Sequence, residues 1–216
     1  MTHTVTLDRA LHRYAIDGVP VPGVTSVLAP LMDFSALPPH VRDSALLRGR
    51  IVHEAIHADN ERDLDEAAFQ RSYPDFLGYL NAWRDFRETR RFVPKINERI
   101  VASPSRHVAG TLDTLGILDG HAAILDFKTG TPSDVATDLQ LAAYRALAVE
   151  WAAEGDDELR DFFAAYPVVR RHAVQLRRDG TFRVDTYVDP KDFSDFFALL
   201  AAHHIIAKRR RTAEAA

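Results

Sequence analysis

The sequence contains no cysteine. That excludes disulfides, a cysteine-ligated zinc finger, an iron–sulfur cluster and a thiol nucleophile. It also lacks any apolar run of about 18 residues, the length a membrane-spanning helix needs. The opening MTHTVTLDRALHRY has no apolar core of signal-peptide type. A soluble, cytoplasmic protein with no membrane contact is the expectation. Lysine is scarce, 4 against 23 arginines. We read that imbalance as coding bias, and it makes each lysine worth locating. A surplus of basic charge is lacking too. The net charge of −4 gives no bulk field of the kind that marks many nucleic-acid binders. Ten glycines and eleven prolines in 216 residues exclude a collagen-like or low-complexity chain.

What is present is an ordinary globular balance, 46% hydrophobic and 27% charged. The length predicts one domain. Residues 1–40 read as N-terminal strands, with a turn at Asp17-Gly18, and a short helix capped by Thr25-Ser26 and ended by Leu37-Pro38-Pro39. Residues 41–189 read as the core. It holds a helix over 41–59, and a second opened by Pro74 with Phe76, Leu80, Trp83 and Phe86 at helical spacing and Pro94 as its breaker. Strands follow at 95–102, 107–117 and 122–128, with a turn at Asp119-Gly120. A helix at 134–153, with Ser133 or Asp134 as N-cap, precedes strands at 167–177 and 181–188. Residues 190–216 read as a last helix with a basic end, Lys208 to Arg211. This order predicts an α/β (α+β) fold with a central mixed sheet flanked by helices.

The chemistry concentrates in residues 98–144. Asp113 and Asp126 lie at the ends of two strands joined by a hairpin, so the two carboxylates can converge. Asp126 and Lys128 are two apart and share a strand face, while Phe127 points to the other. Converging carboxylates repel unless a cation sits between them. A hard divalent ion such as Mg²⁺ or Mn²⁺ suits oxygen ligands. A neighbouring lysine can orient a water and offset charge on a phosphate. Taken alone, Asp-x-Lys is a common surface ion pair; its company gives it meaning.

That company resembles the PD-(D/E)XK nuclease superfamily in its RecB-like, phage-exonuclease branch. The motifs are Gly49 to His53, Glu98, Gly110 to Asp113, Asp126 to Lys128 and Gln140 to Tyr144, in order and on the expected elements. Leu112-Asp113 replaces the family's Pro-Asp, and the absent cysteines disfavour its CRISPR-associated branch. The resemblance implies a restriction-endonuclease-like core. It implies metal ligation by His53, Asp113, Asp126 and the Phe127 carbonyl, with Lys128 catalytic and Glu98 an auxiliary acid. Gln140 and Tyr144 would line the DNA side or brace the site, with Arg50, Thr129, Thr25 and Ser26 as further DNA contacts. It implies a Mg²⁺- or Mn²⁺-dependent DNA exonuclease acting on ends, including single-stranded ones, in recombination, repair or phage DNA processing, with a helicase or recombinase as partner.

Two alternatives compete. His53-Glu54-Ala55-Ile56-His57 has the zinc-peptidase pattern, with paired histidines at i, i+4 and a glutamate base. It lacks a third ligand motif and leaves Asp113, Asp126 and Lys128 unexplained. A catalytically silent nucleic-acid-binding module of the same fold is the other; an intact carboxylate pair with its lysine argues against it. For the basic stretch at Arg84, Arg87, Arg90 and Arg91, and for Lys208 to Arg211, either a DNA contact or a solvated helix face fits. Trp83 and Phe86 have core spacing.

Overall fold

The computed structural model describes residues 3–32, 38–132 and 136–214. Three short antiparallel strands come first, β1 (Val5–Asp8), β2 (Arg13–Ile16) and β3 (Val19–Val21), forming a sheet of their own. A five-stranded sheet is the centre of the molecule. It orders β4 (Val93–Ser103), β5 (Val108–Leu118), β6 (His121–Lys128), β7 (Arg170–Leu176) and β8 (Phe182–Tyr187) side by side. β4, β5 and β6 form an antiparallel meander. β7 joins β6 in parallel, and β8 returns antiparallel. The parallel pair requires a long crossover, which α5 (Thr137–Glu154) and α6 (Asp157–Ala165) supply.

Helices cover both faces. On one side lie α1 (Val24–Leu28), α5, α6 and α7 (Lys191–Glu214), packed over Leu115, Ile124 and Ala173. On the other lie α2 (Pro39–Glu61), α3 (Glu66–Ser72) and α4 (Leu77–Thr89), over Leu125, Phe127 and Val174. β6 therefore alternates between two cores, as a strand with both faces covered must. Trp83 and Phe86 are 0% exposed, so their helical spacing did mark core. Truncating either to alanine costs about 3–5 kcal/mol by the usual cavity penalty. The mixed sheet flanked by helices agrees with the fold class expected from the sequence.

Several local expectations need correction. α3 and α6 did not stand out from the sequence. Each is short, and each is started by an aspartate whose carboxylate accepts a backbone N–H three residues on, Asp65 from Ala68 and Asp156 from Leu159. Pro74 opens a 3-10 turn over Pro74–Phe76, and the α-helix begins at Leu77. Pro94 lies within β4, an edge strand that tolerates a missing N–H. Thr25 and Ser26 fall inside α1, whose N-cap is Gly23. A Cβ at Gly23 would sit 3.1 Å from the Tyr14 ring, so the chain enters α1 tightly against β2. The expected caps at Ser133 and Asp134, and Leu37, lie outside the described residues. Among the described residues, no helix is long and apolar enough to cross a membrane.

Candidate active site

The last ladder pair between β5 and β6 is Thr114↔Leu125. Continuing that register puts Asp113 opposite Asp126. There the backbone pairing gives way, and the Phe127 N–H donates to the Asp113 Oδ2 at 2.7 Å. A side-chain carboxylate thus takes the place of a strand carbonyl, which keeps a buried donor satisfied and fixes the Asp113 rotamer. Asp113 is 10% exposed and Asp126 3%. Burial and the Asp113 charge push the Asp126 carboxyl upward, against the pull of Lys128. Asp113 is also pushed up by burial, but His53, the Phe127 N–H and Lys128 outweigh this and hold it below the usual carboxylate range.

Glu98 approaches from β4. Its neighbours pair as Asn97↔Thr114 and Arg99↔Leu112, which sets Glu98 across from Asp113. Its φ of +45° takes it out of the regular strand conformation. Asn97 anchors this irregularity. Its Oδ1 accepts from Thr114 Oγ1 at 2.8 Å and from Asn60 Nδ2 at 3.1 Å, and its Nδ2 donates to Glu61 at 2.8 Å. Burial and Asp113 raise the Glu98 carboxyl to about 7. Two carboxylates directly opposite each other repel, so the fold holds them together at a cost.

His53 enters from α2. Its Nδ1 is 3.5 Å from Asp113 Oδ1, and its Nε2 donates to the Phe127 carbonyl at 2.9 Å. Burial works against the imidazolium, but Asp113, Glu98 and Asp126 overcome it and raise the group to about 9. Ligand atoms of His53, Glu98 and Asp113 all lie within 4.8 Å of one another.

Lys128 closes the other side. Its Nζ is 2.7 Å from Asp126 Oδ2 and donates to Gln140 Oε1 at 2.9 Å. Gln140 Nε2 donates in turn to the Tyr144 hydroxyl at 3.3 Å. Gln140 and Tyr144 are one turn apart on α5, so a single helix face braces the lysine. Tyr144 is 5% exposed and belongs to the core as well. Its ring needs Gly110, where a Cβ would come within 2.7 Å of it.

The donor set fits a hard divalent cation. Two carboxylates and an imidazole meet in one corner, the Phe127 carbonyl lies against the imidazole, and Asp126 stands beside them with its Oδ2 held by Lys128. Carboxylate-bearing sets of this kind suit a divalent cation.

The remaining candidates divide. Thr129 follows Lys128, and its Oγ1 accepts from Arg48 Nε at 3.3 Å. Arg50 is exposed and has no ion pair or hydrogen bond with a described residue; Arg48 is the arginine that turns to the site. Gly49 leaves a gap. Among the described residues a Cβ there would meet only Thr129 Oγ1, at 4.0 Å, so none of them demands glycine. Thr25 is half-buried and Ser26 exposed on α1. Three of the four arginines in the run are engaged elsewhere. Arg84 and Arg87 both bind Asp59, and Arg90 binds Asp119. Glu54 is exposed, and neither Glu54 nor His57 joins the ligand cluster among the described residues. The zinc-peptidase pattern is therefore not assembled in space.

The sequence matches the model of the PD-(D/E)XK nuclease superfamily over residues 26–214. No curated protein matches it. The chain belongs to the PD-(D/E)XK nuclease superfamily, and membership implies metal-dependent nuclease activity on DNA.

Proposed function

We propose that this protein is a Mg²⁺- or Mn²⁺-dependent deoxyribonuclease of the RecB-like branch, an exonuclease that hydrolyses phosphodiester bonds from DNA ends. The observation that carries the reading is the convergence of Asp113, Glu98 and His53 on one corner, with the Asp126–Lys128 pair beside it. The preference for ends and a helicase or recombinase partner in recombination, repair or phage DNA processing rest on the motif resemblance.

Asp113, Glu98 and His53 would hold the metal, with Asp126 and the Phe127 carbonyl completing the set. A bound divalent cation supplies Lewis-acid polarisation of the phosphoryl group and a more acidic water. The chain's own residues do the rest. Lys128 has three N–H donors. One is fixed by Gln140 and the amine stands against Asp126, which leaves a directed donor for the attacking water or a phosphoryl oxygen. Because Gln140 and Tyr144 lock the amine, it need not reorganise as charge develops. Arg48, beside the Gly49 gap and Thr129, stands where a non-bridging phosphate oxygen can be received.

The test is cleavage of end-labelled linear single- and double-stranded DNA, with covalently closed circles as control, in Mg²⁺, Mn²⁺, Zn²⁺ and EDTA. Loss of linear DNA in Mg²⁺ or Mn²⁺, with circles and EDTA lanes intact, is expected, and the labelled end gives the polarity. Circles cut as fast as linear DNA would replace the exonuclease by an endonuclease. Cleavage absent in every metal would overturn the assignment.

A further inference from the structure

The superfamily match begins at residue 26, so the three-stranded sheet β1–β3 lies outside it. That sheet is not remote from the site. The Ala109 N–H donates to the Pro22 carbonyl at 3.2 Å, and Gly23 bridges Ala109. The Tyr14 hydroxyl meets Thr111 Oγ1 at 2.9 Å. Thr111 is two residues from Asp113 on β5, so the two share a face. Tyr14 stands next to Arg13, at the end of β2 that joins the β1–β2 turn. The sheet is thus fastened to the wall of the site by the end that carries its turn.

The turn is cationic and open. Arg9 and Arg13 are exposed, and their side chains make no ion pair or hydrogen bond with a described residue. The only acid in the turn, Asp8, is used internally, its Oδ1 accepting from the N–H groups of Ala10 and Leu11. Leu11 is 58% exposed, and the His12 ring lies edge-on to Tyr14 at 5.6 Å. Arg9 is near enough for its positive charge to act on both Glu98 and Tyr14. Of the run Arg84, Arg87, Arg90 and Arg91, the first three are paired with Asp59 or Asp119.

We propose that the β1–β2 turn is a nucleic-acid contact, in which Arg9 and Arg13 hold backbone phosphates of the strand that passes Glu98. Free guanidinium groups beside a site that must receive a polyanion contribute through counterion release, and Leu11 gives the turn an apolar surface for a sugar or base. The turn adds binding without touching the reacting atoms. This inference rests on the nuclease reading.

The experiment uses full-length protein inactivated by Lys128→Ala, binding a fluorescent single-stranded oligonucleotide in Ca²⁺ across a salt series. Arg9→Ala/Arg13→Ala in that background should weaken binding roughly tenfold and flatten the log K against log salt slope by about 1.4, two phosphates at about 0.7 each. Arg160→Ala, which removes an exposed cation on α6, should change neither. In the active protein the double variant should raise KM and leave kcat. An unchanged affinity and slope, with wild-type protein cleaving normally, would overturn the inference and leave the nuclease standing. No binding by the Lys128→Ala protein, together with no cleavage by wild type, would overturn both.

Discussion

Two buried charged clusters in this molecule differ in kind. At the site, Asp113, Asp126 and Glu98 face a single lysine and a histidine. Some 60 residues on, Arg171 is 4% exposed and pairs with Asp192 at 2.8 Å, donating also to the carbonyls of Asp138 and Asp189. The second cluster is balanced, one cation to one anion, with backbone acceptors filling the guanidinium fork. It ties β7 to the first turn of α5 and the start of α7, and asks for no ligand. The first sets three carboxylates against one lysine and one histidine, and burial with mutual repulsion pushes the Asp126 and Glu98 carboxyls upward. Burial alone therefore does not distinguish a functional cluster from a structural one; charge balance does.

The largest effect that should separate the two comes from Lys128→Ala. Cleavage should fall about a hundred- to a thousandfold, as it does when a preorganised donor to the transition state is removed, while the protein stays folded with a melting temperature lowered by the loss of the cation beside buried Asp126. Single-turnover kinetics beside thermal unfolding check both halves, and near-wild-type turnover would erase the contrast. Arg171→Met should do the reverse. It leaves Asp192 buried without its cation, at a cost of about 3–5 kcal/mol, which denaturant unfolding would read. Adding Asp192→Leu should recover much of that loss, and activity per folded molecule should stay close to wild type. If the single variant unfolds no more easily, the cluster is not the staple described.

A smaller effect sharpens the comparison. Glu98→Gln removes one of two facing carboxylates, so in EDTA it should stabilise the protein by up to about 1 kcal/mol. The same change should reduce the upward shift of the melting temperature on adding Mn²⁺, because a ligand that binds only the native state stabilises by mass action. A wild type and a variant stabilised equally by Mn²⁺ would remove Glu98 from the ligand set. The smallest effect is at Gly49. Gly49→Ala should leave stability within about 0.5–1 kcal/mol of wild type or slightly raised, since alanine favours a helix interior and the space is open. It should raise KM if the gap receives substrate.

Much of the fold and site was legible because periodicity and spacing are local. The β6 alternation placed Asp126 and Lys128 on one face and Phe127 on the other, and the one-turn spacing of Gln140 and Tyr144 put both behind the lysine. α3 and α6 were missed because seven and nine residues give too few turns to establish a period. Each nonetheless carried a start signal in its capping aspartate. Nothing in the sequence marked Glu98 for a left-handed backbone, because that conformation is imposed by the Asn97 network and the register with β5. The arginines show the same limit. Arg84, Arg87 and Arg90 read as a basic stripe, yet each meets an aspartate from a distant segment. Arg48 and Arg9 lie beside the site.

The sequence by itself determined the alternation of strands and helices, the two-sided core and the set of groups able to bind a cation, because hydrophobic period and residue chemistry travel with the chain. Only the tertiary structure decided which charges cancel and which remain in surplus, and it did so through strand register and helix docking. Coulomb energy depends on distances between residues far apart in sequence, and those distances exist only once the β5–β6 ladder ends at Thr114 and α2 brings His53 to its open end.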